Sequence, residues 1–314
     1  VNKRQTYTST GIKLLHHPKV VEKFKKGIGT PISLQMAPTS VCNLRCKFCS
    51  NTNREKHEQL QASRIYLLIK KLREYGLKTV EWTGGGDPTM YPPINRLIEF
   101  CHSLGLEQGF ITNGILLKEN VTAKALKYLK WIRVSMNSLD YVNLVELPEI
   151  PESCTLGFSY VYNAMTNEHT LDRLETHVMR YTPKYVRVVP NCQCTVEQQN
   201  KNNATLSKLV QKWGPPYFYQ PKEFERPDKC YWGYLKPFVL HDGYVYPCSS
   251  VVLNSDSGRY FHEKYRWCKM EDFPSLYAKK VKSFDTVNCD HCVFTDQNNM
   301  LIDLSHSGGM ENFV

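Results

Sequence analysis

The sequence predicts an α/β fold: a partial (β/α)6 TIM-like barrel over residues 32–217 and a small C-terminal domain over residues 218–304. Three observations lead there. From about residue 32 to about 215, β-like segments alternate with segments of helical apolar spacing. About six such units suit an open barrel better than the eight of a closed one. After about residue 218 the chain becomes rich in Tyr, Pro, Gly and Cys, which suits an appendage held by metal rather than by a large core.

The elements follow in order. Residues 1–31 are a basic lead-in: the first thirty carry seven Lys/Arg and a single acid, Glu22. Such a run is either a solvated basic face or a surface for phosphate-bearing partners, nucleic acid or nucleotides. Residues 32–36 are β-like and lead straight into a cysteine loop. Residues 57–75 have apolar positions at helical spacing with charge opposite. A strand at 78–83 ends in Gly84-Gly85-Gly86. Helices at 93–104 and 118–129 precede strands at 109–112 and 131–136, and residues 155–162, 168–181, 184–189 and 204–213 continue the alternation. Parallel strands with right-handed crossovers are implied, and active residues of parallel barrels gather at strand C-terminal ends. Residues 244–246 are a short β-like piece of the C-terminal domain, and residues 305–314 are a polar, Gly-containing tail.

The 314 residues are 41% hydrophobic and 22% charged, with a net charge of +10. That is a globular composition. No apolar run approaches a membrane span, and the polar first ten residues lack a signal-peptide core, so a cytoplasmic protein without membrane association is expected. The twelve cysteines come in short-spaced sets, which suits metal ligation better than a disulfide framework.

The first set is Cys42-x3-Cys46-x2-Cys49, just after a strand. Iron–sulfur clusters are held by thiolates, and three ligands leave one iron of a four-iron cubane open to a small molecule. The competing reading is structural zinc, which would need a fourth ligand from Cys101, Cys154, Cys192, Cys194 or a histidine. Gly84-Gly85-Gly86-Asp87-Pro88 lets the backbone approach a ligand closely or makes a tight turn. Thr112-Asn113-Gly114 ends the next strand. Alternation puts Arg133, Ser135 and Asn137 on one face. Glu81 points into the barrel and needs a partner, which the sequence does not name.

With Phe48 as the aromatic residue before the third cysteine, residues 42–49 resemble the hallmark of the radical S-adenosylmethionine (SAM) superfamily. The resemblance extends over about residues 13–215. It implies a [4Fe–4S] cluster on Cys42, Cys46 and Cys49 whose open iron chelates the amino and carboxylate groups of SAM. One electron then cleaves SAM to a 5′-deoxyadenosyl radical, which abstracts a substrate hydrogen. It also implies cofactor contacts from Phe48, Gly84, Gly85, Gly86, Asp87, Asn113, Ser135, Asn137, Ser159 and Arg187. Arg187 would pair with the SAM carboxylate. Asp87 and Asn137 stand where the family usually has Glu and Asp. A flavodoxin- or ferredoxin-type electron donor is the implied partner.

The second set is Cys230, Cys248, Cys289 and Cys292. Spacing alone suits zinc or a complete second [4Fe–4S] cluster. The pattern resembles the shortened auxiliary-cluster (twitch) domain of the SPASM/twitch subgroup, with spacing closest to the aminocyclitol dehydrogenases, and so implies the auxiliary cluster. Cys268 is a spare ligand, and Cys192-Gln193-Cys194 reads as core or as lining of the substrate face. The chemistry expected is oxidation, rearrangement or isomerisation of a small molecule. Alternatives are a nucleobase or its substituent in a nucleotide or DNA, a ribosomally made peptide, or, outside enzymes, a zinc-bearing nucleic-acid-binding protein.

Overall fold

The computed structural model describes residues 3–51, 57–193, 195–222, 226–249, 263–286, 289 and 292–306. Cys194 and residues 307–314 of the expected tail lie outside them. Ten strands form one sheet: β1 (Ser33–Met36), β2 (Thr79–Trp82), β3 (Glu107–Thr112), β4 (Trp131–Ser135), β5 (Thr155–Tyr162), β6 (Tyr185–Pro190), β7 (Tyr217–Tyr219), β8 (Phe238–Val239), β9 (Tyr244–Tyr246) and β10 (Cys268–Lys269). Their spatial order is β10-β9-β8-β1-β2-β3-β4-β5-β6-β7. Strands β1 to β7 pair in parallel in sequence order, the signature of repeated strand–helix units.

Nine α-helices lie in the described residues: α1 (Lys3–Tyr7), α2 (Pro18–Lys25), α3 (Ala62–Tyr75), α4 (Ile94–Ser103), α5 (Leu117–Asn120), α6 (Ala123–Leu126), α7 (Glu168–Tyr181), α8 (Val196–Trp213) and α9 (Thr295–Ser305). The outer helices bury one apolar stripe each, such as Ile65, Leu68, Ile69 and Leu72 of α3 and Ile94, Leu97, Ile98 and Cys101 of α4. No helix of the described residues is long and apolar enough to cross a membrane.

The structure alters four expectations. The helix foreseen over 57–75 starts only at Ala62, because residues 58–60 run alongside the entry to the cysteine loop: the Ser40 N–H donates to the Glu58 carbonyl (2.8 Å) and the Leu60 N–H to that of Pro38 (2.9 Å). The helix foreseen over 118–129 is two short ones, the second restarted by the Thr122 cap, whose hydroxyl accepts from the Ala125 N–H at 3.2 Å. Helix α8 starts earlier than residue 204, at a capping box of Thr195 and Gln198. A seventh parallel strand, β7, straddles the boundary drawn at 217/218.

The C-terminal part shares the barrel sheet. Strand β8 pairs in parallel with β1, and β9 returns antiparallel to it. The sheet does not close, and residues 3–9 run from its β7 edge to the start of β8. Lys3 Nζ donates to the Pro216 carbonyl (3.1 Å) ahead of β7. Ahead of β8 Lys236 Nζ donates to Ser9 Oγ (2.8 Å), and Gln297 Nε2 of α9 donates to the Ser9 carbonyl (3.1 Å). Arg133 Nη2 donates to the Tyr7 carbonyl at 2.6 Å, while Tyr7 stacks on Tyr185 at 4.2 Å. Part of the basic lead-in is therefore an internal brace.

Candidate functional site

The cysteine loop sits at the C-terminal end of β1, held by glycines. Gly86 N–H donates to the Thr39 carbonyl (2.7 Å) and Asp87 N–H to that of Val41 (2.8 Å). A Cβ on Gly86 would overlap the Val41 carbonyl oxygen, and one on Gly85 would overlap the His241 ring. Only glycine permits this approach. His241, from the turn after β8, bonds through Nδ1 to Glu58 Oε2 at 2.8 Å. The C-terminal part thus clamps the strap beside the loop.

Within the loop the Leu44 N–H points at Cys42 Sγ (3.4 Å), and the Cys49 N–H donates to the Cys46 carbonyl (3.1 Å). Burial pushes the Cys46 thiol up to about 12, with the Cys49 and Cys42 thiols adding to the rise and a hydrogen bond from Tyr141 opposing it. The three sulfurs therefore share one electrostatic environment. Half-buried Phe48 lies on the same turn. The eleven described cysteines are free thiols, so loop 42–49 is not disulfide-bonded. Among the described residues no three Cys, His, Asp or Glu side chains form a group suited to a single metal ion. The Cys46 thiol, raised by burial, needs a cationic body to ionise it, and three thiols on one short loop fit a cubane with one open iron.

The other expected cofactor residues divide into two groups. Asn113 is turned to the loop: its Nδ2 reaches Asn43 Oδ1 at 2.6 Å and Cys42 Sγ at 3.8 Å. Ser135, Ser159 and Arg187 are register partners across β4, β5 and β6. The Ser135 hydroxyl makes no hydrogen bond among the described residues. Arg187 donates from Nη2 and Nε to Ser159 Oγ (2.9 and 3.2 Å) and from Nη1 to Gln220 Oε1 (3.1 Å). Burial lowers its pKa to about 9, and Arg133 pushes the same way.

Asp87 and Asn137 have their side chains engaged inside the protein. The Asp87 carboxylate accepts from the Thr89 N–H and hydroxyl, the Thr112 hydroxyl and the Asn113 N–H, at 2.7–3.0 Å. Burial raises its pKa despite these bonds. Asn137 bridges β4 to β5, accepting from the Val161 N–H (2.6 Å) and donating to the Val161 carbonyl (2.9 Å) and Asp140 (3.0 Å). Both side chains brace strand ends.

The second set converges too. Burial pushes the Cys230 thiol well up, and Cys248, then Cys292 and Cys289, push it further. Cys268, on β10, is raised to about 12 by burial and then by Asp272; none of the four figures in its surroundings. Cys192 is half-buried after β6, near Lys222 and Arg187, not in the apolar core, the first of the two placements the sequence left open. The adjoining Gln193 reaches the Cys49 carbonyl.

Several contributors carried no sequence signal. Asp140 accepts from Asn137, Asn163 and Tyr160 at 3.0 Å each. Tyr141 accepts the Lys47 N–H at 3.2 Å. Lys236 supplies the missing partner of Glu81 at 2.6 Å.

Comparison with known proteins agrees with this geometry. Residues 36–153 match the Radical SAM superfamily. An S-adenosylmethionine-dependent nucleotide dehydratase of Flammeovirga pacifica is 31% identical over 101 residues, 30% of this chain and 34% of that protein. Mycofactocin maturase MftC of Mycobacterium ulcerans is 30% identical over 110 residues, 34% and 29% of the two chains. The match spans about a third of these relatives' length. Streptococcus suis SuiB bound to precursor peptide SuiA superposes with TM-score 0.53 at 16% identity, covering 87% of this chain and 72% of SuiB. The enzyme anSMEcpe with bound AdoMet and Kp18Cys peptide gives 0.51 at 15%, covering 88% and 83%. These structures share the partial barrel with a C-terminal auxiliary domain, as the SPASM/twitch subgroup does. The cysteine loop and the glycine clamp both lie within residues 36–153, the part of this chain that carries the radical SAM domain.

Proposed function

We propose that this chain is an enzyme that reductively cleaves SAM at a [4Fe–4S] cluster held by Cys42, Cys46 and Cys49, and uses the product radical to abstract hydrogen from a substrate in the barrel mouth. The observation that carries this is three mutually coupled thiols on one short loop locked to Gly85 and Gly86. When bound, the cluster supplies the electron that splits SAM into methionine and a 5′-deoxyadenosyl radical. The protein's part is positional. Asn113 and Tyr141 hold the loop, the backbone of 84–87 lines the mouth, and Ser135 offers a free hydroxyl. Arg187, braced by Ser159, offers a guanidinium for a carboxylate. Cys230, Cys248, Cys289 and Cys292 would hold a second, fully ligated [4Fe–4S] cluster, with no iron left open for substrate. A flavodoxin- or ferredoxin-type protein is the reductant.

On substrate, SuiB is seen with a precursor peptide, and a relative at 31% identity acts on nucleotides. The cationic lining of this barrel favours a small anionic molecule. Grip on DNA by the lead-in is weakened, since Lys3 and Lys13 bond to backbone carbonyls within the protein. The test is anaerobic reconstitution with SAM and dithionite. About eight irons per chain, for two cubanes, and release of 5′-deoxyadenosine are expected. Cluster-replete protein that releases none refutes the reading.

A further inference from the structure

The barrel interior is more cationic than one SAM carboxylate requires. Arg133 on β4, Arg187 on β6 and Lys222 just past β7 form no ion pair among the described residues. The interior acid Glu81 already has Lys236 at 2.6 Å. Neutral groups hold both arginines. Arg133 has the Tyr185 hydroxyl at 3.0 Å, the Tyr7 carbonyl, and the faces of Trp131 and Tyr185. Arg187 has Ser159 and Gln220.

Lys222 is the sharper case. Its backbone is pinned on both sides by Asn203: its N–H donates to Oδ1 (3.2 Å) and its carbonyl accepts from Nδ2 (2.8 Å). Its ammonium makes no hydrogen bond among the described residues. The side chain lines a cavity of about 410 Å³ together with Arg4, Ser9, Gln220 and Gln297. The acid on that wall, Asp296, is exposed on the first turn of α9. Gln220 ties the cavity to the cofactor level, because it also bonds Arg187, which shares a register rung with Ser135 and Ser159. Burial lowers the Lys222 amine to about 8; Cys192 opposes this, and Arg187, Arg133 and Arg4 add to it. A half-buried ammonium with no counter-ion among the described residues is costly, and a backbone pinned on both sides that holds it at a cavity wall is the arrangement of a binding site.

We propose that this cavity is a subsite for a phosphate or carboxylate group of the substrate, contacted by Lys222 and Arg4, with Arg187 behind Gln220 adding to the positive potential. The proposal deepens the functional reading and rests on it for the word substrate; anion binding is measured without it. The experiment titrates reconstituted, SAM-loaded protein with inorganic pyrophosphate and, separately, with succinate, by calorimetry. Saturable binding of one of them is expected, and which one binds identifies the group. Lys222→Met should weaken it at least tenfold and Lys222→Arg less than threefold, while Lys127→Met, at an exposed site, should leave it unchanged. Lys222→Met should also raise Tm, because a half-buried charge without a counter-ion among the described residues is removed. The proposal is overturned if neither probe binds saturably, if Lys222→Met binds as the wild type does, or if it lowers Tm. A wild type that binds pyrophosphate yet never cleaves SAM would sink the functional reading and leave the anion site standing.

Discussion

Replacing Lys236 with Met tests the seam between the barrel and the C-terminal part. Lys236 and Glu81 are 2.6 Å apart, with side chains 8% and 18% exposed. Glu81 also accepts from Gln35 Nε2 at 3.2 Å. Lys236→Met leaves a carboxylate buried without its cation, which costs about 3–5 kcal/mol. At about 2.1 cal/mol/K of unfolding entropy per residue, this length of chain gives roughly 0.66 kcal/mol/K, so Tm should fall by about 5–8 °C. The pH dependence follows from the same pair. Burial alone would raise the Glu81 pKa, but the nearby Lys236 outweighs it and the net shift is downward. A depressed carboxylate adds stability above its unfolded pKa of about 4.3 and loses it as pH falls through the folded value. In the variant, only Arg133 and the Gln35 hydrogen bond oppose burial, and Glu81 takes up its proton at higher pH than in the wild type. The Tm gap between wild type and variant should therefore be widest near neutrality and shrink as pH falls from the variant's Glu81 value to the lower wild-type value. Differential scanning calorimetry of the reconstituted protein from pH 3.5 to 7.5 measures both. Glu81→Leu/Lys236→Met should recover most of the loss, since an apolar pair avoids desolvation. A single variant within 1 °C of wild type (roughly the noise of such scans), or a double variant as unstable as the single, would refute the reasoning.

Three further outcomes are expected. Cys46→Ala should abolish 5′-deoxyadenosine release and remove about four irons per chain, one cubane, read by product chromatography and iron assay. Cys230→Ser should also leave about four irons, now those of the first cluster, so that electron paramagnetic resonance retains a signal that responds to added SAM. Gly86→Ala should force the glycine turn away from Val41 and lower iron incorporation at the first site several-fold, while far-ultraviolet circular dichroism stays unchanged; normal incorporation would show that the close approach is dispensable.

The repetition of strands and helices was legible because burial of a parallel sheet beneath amphipathic helices leaves a periodic trace. Residues 155–162 and 168–181 coincide with β5 and α7. Strand β7 left little trace, because three aromatic residues are too short a run for periodicity to register. Helix α3 began late because residues 58–60 pair with the segment leading into the cysteine loop, a long-range preference that overrides local propensity.

The sequence by itself determined the chemistry: three thiols on one short loop, four more in a second set, and glycines one strand later. Spacing along a chain limits which sulfurs can meet, so this much is local. The tertiary structure decided which polar side chains remain available to a ligand. It turned Asp87 and Asn137 inward as braces, brought Lys236 to Glu81 across 155 residues, and, among the described residues, left the Ser135 hydroxyl without a hydrogen bond and Lys222 at a cavity wall without an anion. Hydrogen bonds and counter-ions are exclusive, and the occupant of each is chosen by proximity in space, to which distance along the chain is no guide.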